Sequence, residues 1–273
     1  MVRAKFGRIQ AFLRSKGRLF SKRQEFVLAT SILTFGLLLT QLVGFERRFE
    51  MVGGLSILAF CLCAFALRED LKGIEWLTLL SLPTLFTLAV SLFYFLLPVR
   101  WLTRLPTAIF YALGIYALLL TENIFNVAAE RSIQLLRVAQ SVGFLITLVT
   151  IFLLFDTFLS FHLGSLPNFL AVFFISWPLF LQALWSVRLE AKISRLIFFY
   201  SLFLSLCLAE LAFVFSFWQV RPTIEALFLT TVFYSLAGVV QNYFLGRLFK
   251  KTVNEFILVL LVVFLLTFFT SGR

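Results

Sequence analysis

The chain has 273 residues, of which 61% are hydrophobic and only 14% are charged. A soluble globular protein of this length needs a charged surface, whereas residues 77–99 and 196–209 contain no charged residue at all. The net charge of +11 is dispersed over short connections between apolar runs, which disfavours a folded nucleic-acid-binding domain. Because apolar runs of this length cross lipid bilayers, the composition predicts an integral membrane protein.

The first 25 residues form a basic arm with eight Lys or Arg residues and one acid, Glu25. Val2, Phe6, Ile9 and Leu13 recur at helical spacing, which predicts an amphipathic helix on anionic lipid headgroups. Nucleic acid is a less favoured partner of this arm. The apolar run that follows lacks a small-residue cleavage pattern, so we expect an uncleaved signal-anchor.

Nine apolar segments are long enough to cross a bilayer as helices, and they are joined by connections of a few residues. This pattern predicts an all-α fold, a polytopic transmembrane bundle of about nine antiparallel spans in a single domain over residues 26–273. The predicted spans are 26–45, 51–67, 76–97, 105–121, 142–161, 167–187, 196–218, 223–245 and 255–270.

The distribution of basic residues predicts the orientation of the bundle. With the N-terminus inside, cytoplasmic segments would hold 18 of the 24 Lys and Arg residues and external segments only 6. Basic residues are retained on the cytoplasmic side of bacterial membranes. We therefore expect the N-terminus inside and the C-terminus outside, in a bacterial cytoplasmic membrane.

A polar stripe follows the fourth predicted span, in the stretch TENIFNVAAERSIQLLRVAQSVG. Its polar residues recur every three or four positions, which places them on one face of a helix. Because an additional crossing here would invert the charge bias, we expect an amphipathic cytoplasmic helix over about 122–141, or a cytoplasmic extension of the fourth span. The predicted face for a protein partner comprises Asn123, Asn126, Glu130, Arg131, Gln134 and Arg137.

The same stretch, ENIFNVAAERSIQLLRVAQSVGF, resembles a segment of uncharacterised polytopic membrane proteins of bacteria. The resemblance rests on residues 122–144, about a tenth of the chain. It implies a membrane protein family and carries no activity with it.

Ionisable residues within the predicted spans are candidate functional groups, because charge at membrane depth is costly. Glu210 and Asp156 fall at similar depths in the outer half, and arginines stand near the external span ends. We expect these groups either to share an outward-facing polar cavity or to be satisfied separately in helix packing. The candidate site comprises Glu210, Asp156, Gln41, Arg100, Arg104 and Arg221.

No nucleotide-binding, hydrolase or zinc-protease motif occurs in the sequence, and the cysteines Cys61, Cys63 and Cys207 lie in apolar runs. The sequence thus predicts no cofactor and no metal. Three functions remain open. The first is a secondary carrier or lipid-handling protein; the second is a non-catalytic scaffold that docks a partner through its cytoplasmic face. The third, a transferase that uses a lipid-linked donor, is suggested only by the acidic residues of ERRFE at 46–50.

Overall fold

The structure is a computed structural model of the full chain, and it describes residues 21–40, 47–68, 75–97, 101–130, 135–189, 193–218 and 220–271. Within these ranges the chain forms nine α-helices and no β-strand. In chain order the helices are α1 (Lys22–Thr40), α2 (Arg48–Leu67), α3 (Glu75–Leu96), α4 (Trp101–Glu130), α5 (Leu136–Leu159), α6 (Ser165–Arg188), α7 (Arg195–Phe215), α8 (Pro222–Phe244) and α9 (Lys250–Ser271).

Eight of these helices, α2 to α9, are long and apolar enough to cross a membrane. The predicted all-α polytopic bundle is therefore confirmed. The described part of the first predicted span is α1, whose first turn contains Lys22, Arg23 and Glu25. Residues 41–45 of that span, and residues 1–20 of the basic arm, lie outside the described ranges.

The polar stripe does not form a helix of its own. The fourth helix, α4, continues without a break to Glu130, and α5 begins at Leu136. No Gly or Pro occurs between residues 115 and 135, so nothing in the sequence stops the helix at the end of the apolar run. Residues 122–130 therefore extend the fourth helix, and residues 136–141 belong to the fifth.

The helices pack around α3, α5, α6 and α8. α6 packs most extensively on α7, whereas α5 packs on both α3 and α8. α9 lies at the edge of the bundle, with Thr267 as its one buried residue among those described. The ring of Phe256 on α9 lies directly over Gly238 of α8, which fixes how the last two helices meet.

The two ends of the bundle differ in charge. We call the end at which α4 and α6 finish the basic end, because the helix ends and connections there carry Arg188, Arg195, Arg247 and Lys250. This is the end that the charge bias predicts to be cytoplasmic.

Candidate functional site

The two acids of the predicted outward-facing cavity do not share an enclosed site. Glu210 is exposed on the surface of α7. Asp156 is buried in the last turn of α5, and its Oδ1 has no hydrogen-bond partner among the described residues. One carboxyl group thus faces outwards from the bundle and the other faces its interior, so the structure does not bring the two acids together.

The basic residues of that predicted cavity are also dispersed. Arg104 is half-buried in the first turn of α4, close to Tyr94. Arg221 is exposed immediately before α8. Gln41 and Arg100 lie outside the described ranges.

The predicted partner face is divided between the bundle interior and its surface. Asn126 is only 3% exposed, so it faces the core and cannot contact a partner from the surface. The reason is that α5 folds back on this part of α4, with Gly143 against Thr121 and Phe125. Arg137 is exposed and Asn123 is half-buried. Arg131, Gln134 and the side chain of Glu130 lie outside the described part of the structure.

A buried hydrogen-bonded network joins three helices near the basic end. Glu122 on α4 is 0% exposed, and its Oε1 accepts a hydrogen bond of 2.7 Å from Nε2 of Gln182 on α6. The amide oxygen of Gln182 accepts a 3.3 Å hydrogen bond from the hydroxyl of Ser81 on α3. Helices α3, α4 and α6 thus meet around one carboxyl group, and we call Glu122, Gln182 and Ser81 the carboxyl network.

The carboxyl network lies within the parts of α4 and α6 that are apolar enough to cross a membrane. Gln182 is about 9 Å from the end of α6, and Glu122 is about 12 Å from the end of α4, at 1.5 Å per residue. Both residues belong to helices that can span a bilayer. A carboxyl group at this depth is costly to ionise and is by default a candidate functional group.

Two further glutamines tie the neighbouring helices to α6 at the same end. Nε2 of Gln140 on α5 donates to the carbonyl of Ser186 at 2.8 Å. Nε2 of Gln241 on α8 donates to the carbonyl of Ala183 at 2.9 Å. The last two turns of α6 are therefore held by side chains from α4, α5 and α8.

Sequence reasoning missed Glu122 and Gln182 as site residues. The predicted fourth span ended at residue 121, so Glu122 fell just outside the membrane. The available signal was the spacing of Glu122 and Asn126, four residues apart on one helix face in a segment without a helix stop. Gln182 offered no signal of its own, because a single amide in an apolar helix does not reveal which helix it faces.

A second feature is an apolar groove of about 680 Å³ between α6 and α7. We call it the α6–α7 groove. Its walls are mainly aromatic and aliphatic, and among the described residues that line it Arg195 is the charged one. The lining residues are Phe174, Trp177, Pro178, Leu181, Ile193, Arg195, Phe198 and Phe199.

Aromatic contacts hold the wall of this groove together. The Trp177 ring is stacked on Phe173, and its edge meets Phe198 with ring centroids 5.8 Å apart. Phe198 in turn contacts Phe199 edge to face. Because α6 and α7 share the most extensive contact in the bundle, this wall is built on a firm helix pair.

Polar groups also occur in the groove. Nε1 of Trp177 is buried and has no acceptor among the described residues. Pro178 has no N–H, so the carbonyl of Phe174 loses its usual donor in the helix. Arg195, the first residue of α7, is exposed. The groove therefore combines an apolar interior with a cation at the basic end, an arrangement that fits an anionic amphiphile.

A comparison with known protein families gives one match. The model of the family described as protein of unknown function (DUF5656) matches residues 64–270, a range that includes the carboxyl network, the α6–α7 groove and the segment 122–144. No curated protein and no solved structure matches the chain. Since the match covers most of the sequence, the chain belongs to the DUF5656 family, to which no activity is attached, as the resemblance of residues 122–144 to an uncharacterised family predicts.

Proposed function

We propose that this protein is a lipid-handling protein of a bacterial cytoplasmic membrane, which binds an anionic phospholipid in the α6–α7 groove. The observation that carries the proposal is the pairing of a large apolar groove with Arg195 at its basic end. An acyl chain would occupy the aromatic interior, and the phosphate would lie at the arginine.

The groove is suited to an acyl chain by size and by surface. Its volume of about 680 Å³ falls within the range of about 300–1,000 Å³ that is common for small-molecule sites. Phe174 and Phe199 are both more than half exposed, so the groove faces the membrane region around the bundle. A lipid would therefore enter sideways from the bilayer, without passing through water.

The basic end of the groove is suited to a phosphate. Arg195 begins α7, and the first turn of that helix is capped by the Ser194 hydroxyl, which accepts from the N–H of Ile197. Cations near the membrane surface attract anionic lipid, and the amide groups of a helix N-terminus add to this attraction. With the basic end on the cytoplasmic side, the bound lipid would come from the inner leaflet.

The proposal is tested by fluorescence quenching of the purified protein with lipids that have brominated acyl chains. Bound brominated phosphatidylglycerol should quench Trp177, and Trp177→Phe should remove that part of the signal. Arg195→Gln should weaken phosphatidylglycerol binding about fivefold, since one basic residue near the surface contributes about 1 kcal/mol, and should leave phosphatidylcholine binding unchanged. Arg247→Gln, an exposed arginine at the same end but outside the groove, is the matched control.

A groove-filling variant tests the chain-binding part separately. Leu181→Phe should weaken the binding of both lipids, whereas Leu170→Phe, on the exposed surface of the same helix, should not. The proposal fails if Trp177→Phe leaves the quenching unchanged. It also fails if Arg195→Gln and Arg247→Gln weaken the binding of the two lipids to the same extent.

A further inference from the structure

We propose that Glu122 is a proton-binding site in the interior of the bundle, with Gln182 and Ser81 as the residues that hold its carboxyl group. This inference does not depend on lipid binding in the α6–α7 groove. It rests on the burial of the carboxyl group, on its hydrogen-bond partners and on the charges around it.

The carboxyl group is enclosed by neutral side chains. Its Oε1 accepts from Gln182, while its Oε2 is buried without a hydrogen-bond partner among the described residues. An ionised carboxylate in such a place bears a large desolvation cost that a single amide donor does not offset. A proton on Oε2 removes the charge and leaves the bond from Gln182 in place.

Within the described ranges, no cation of the helices packed around α4 is found beside Glu122 to balance a negative charge. The titratable side chain next to it is the buried thiol of Cys63 on α2, which would be neutral or negative. The neighbours from α3 and α6 are the neutral Ser81 and Gln182.

On α1, Glu25 pairs with Arg68 at 3.7 Å, Arg23 is exposed, and Lys22 is half-buried at the first residue of the helix. On α5, Arg137 is exposed. The acid of α5, Asp156, lies in the last turn of that helix, at the end of the bundle opposite the basic end.

The orientation of Gln182 favours a proton over a metal cation as the ligand. Its amide NH₂ points to the carboxyl group, and its oxygen lies 3.3 Å from the Ser81 hydroxyl, which can also donate to the carbonyl of Thr78 at 3.0 Å. A metal cation at Glu122 would need oxygen ligands, whereas the nearest amide presents a hydrogen-bond donor. A proton requires only the free carboxyl oxygen.

Polar groups connect the site with the basic end. Asn126 lies one turn nearer that end of α4, is 3% exposed and has a buried Nδ2 without an acceptor among the described residues. On the other side, Gln182 and Ser186 line a small cavity of about 10 Å³, which is about the space that one water molecule needs. These groups offer a route by which a proton could exchange with the aqueous phase.

The test is infrared difference spectroscopy of the full-length protein reconstituted in lipid vesicles. At neutral pH, the wild type should show the C=O stretching band of a protonated carboxyl group. This band should be absent from the spectrum of Glu122→Gln. The band should decline as the pH is raised, with the gain of carboxylate bands. Glu210→Gln, which changes the exposed acid on α7, is the matched control and should retain the band.

A second variant keeps the proposal testable if Glu122→Gln fails to fold. Gln182→Met preserves the carboxyl group and removes its hydrogen-bond donor, so the same band should shift to higher frequency. The proposal is overturned if wild type and Glu122→Gln differ at neutral pH only in carboxylate bands. It is equally overturned if the protonated band persists at every pH at which the protein stays folded, since the group would then be permanently neutral.

Discussion

The contact between α3 and α4 gives a sharp prediction about packing. A Cβ atom built on Gly114 of α4 would clash with Cζ of Phe86 on α3. The Phe86 ring cannot easily move, because it is 1% exposed and stacked on Tyr111 with centroids 5.9 Å apart. We therefore expect Gly114→Ala to force the two helices apart.

The magnitude follows from two opposing effects. Overpacking a tight core contact destabilises the fold by about 1–3 kcal/mol. Replacing glycine by alanine in a helix stabilises it by about 0.4–1 kcal/mol, because the unfolded chain then has less conformational entropy. Gly114→Ala should thus lower the free energy of unfolding by about 1–2 kcal/mol. Gly53→Ala on α2, where a Cβ meets nothing within 4 Å, should be neutral or slightly stabilising.

The assay is detergent-induced unfolding in mixed micelles, followed by circular dichroism, with a double-mutant cycle. Phe86→Leu removes the ring that Gly114→Ala would strike, so the cost of the alanine should largely disappear in the Phe86→Leu background. The coupling energy should be about 1–2 kcal/mol, as for other residues in direct contact. Equal effects of Gly114→Ala in both backgrounds would refute this account of the α3–α4 contact.

Two other predictions concern the anchoring of α6 and the orientation of the bundle in the membrane. Gln140→Leu and Gln241→Leu each remove one hydrogen bond to a carbonyl of α6, and each should cost about 0.6 kcal/mol in the same unfolding assay. A loss of several kcal/mol in either variant would show that the side chain does more than anchor α6. In a variant without the native cysteines, Arg247→Cys should resist a membrane-impermeant maleimide in intact cells, whereas Phe217→Cys, at the opposite end, should react. The reverse pattern would overturn the assignment of the basic end to the cytoplasm.

The membrane fold was predictable because the bilayer leaves few choices. A spanning segment must satisfy its own backbone hydrogen bonds, so a long apolar run implies a helix whatever its neighbours are. The helix ends were less predictable. The α4 helix passes the end of its apolar run by nine residues, to Glu130, because helix-forming residues continue there without Gly or Pro.

The candidate sites were much harder to predict from the sequence. The burial of Glu122 depends on Gln182, which lies 60 residues later in the chain and on another helix. Periodicity identifies the face on which a residue lies but not the helix that covers that face. Glu210 shows the same limit, because its depth along α7 does not reveal that its side chain is exposed.

The carboxyl network and the α6–α7 groove share the same two turns of α6. Leu181 lines the groove, and the next residue, Gln182, donates to Glu122. Pro178, one turn earlier, lines the groove and removes a backbone hydrogen bond of the helix at that level. Beyond that point the helix is held firmly by Gln140 and Gln241. A displacement of the α6 wall would therefore bend the helix at Pro178, and the hydrogen bond from Gln182 would be the contact most directly altered. By this geometry, lipid binding in the groove, as proposed, and protonation of Glu122 would influence each other, and the influence would be reciprocal.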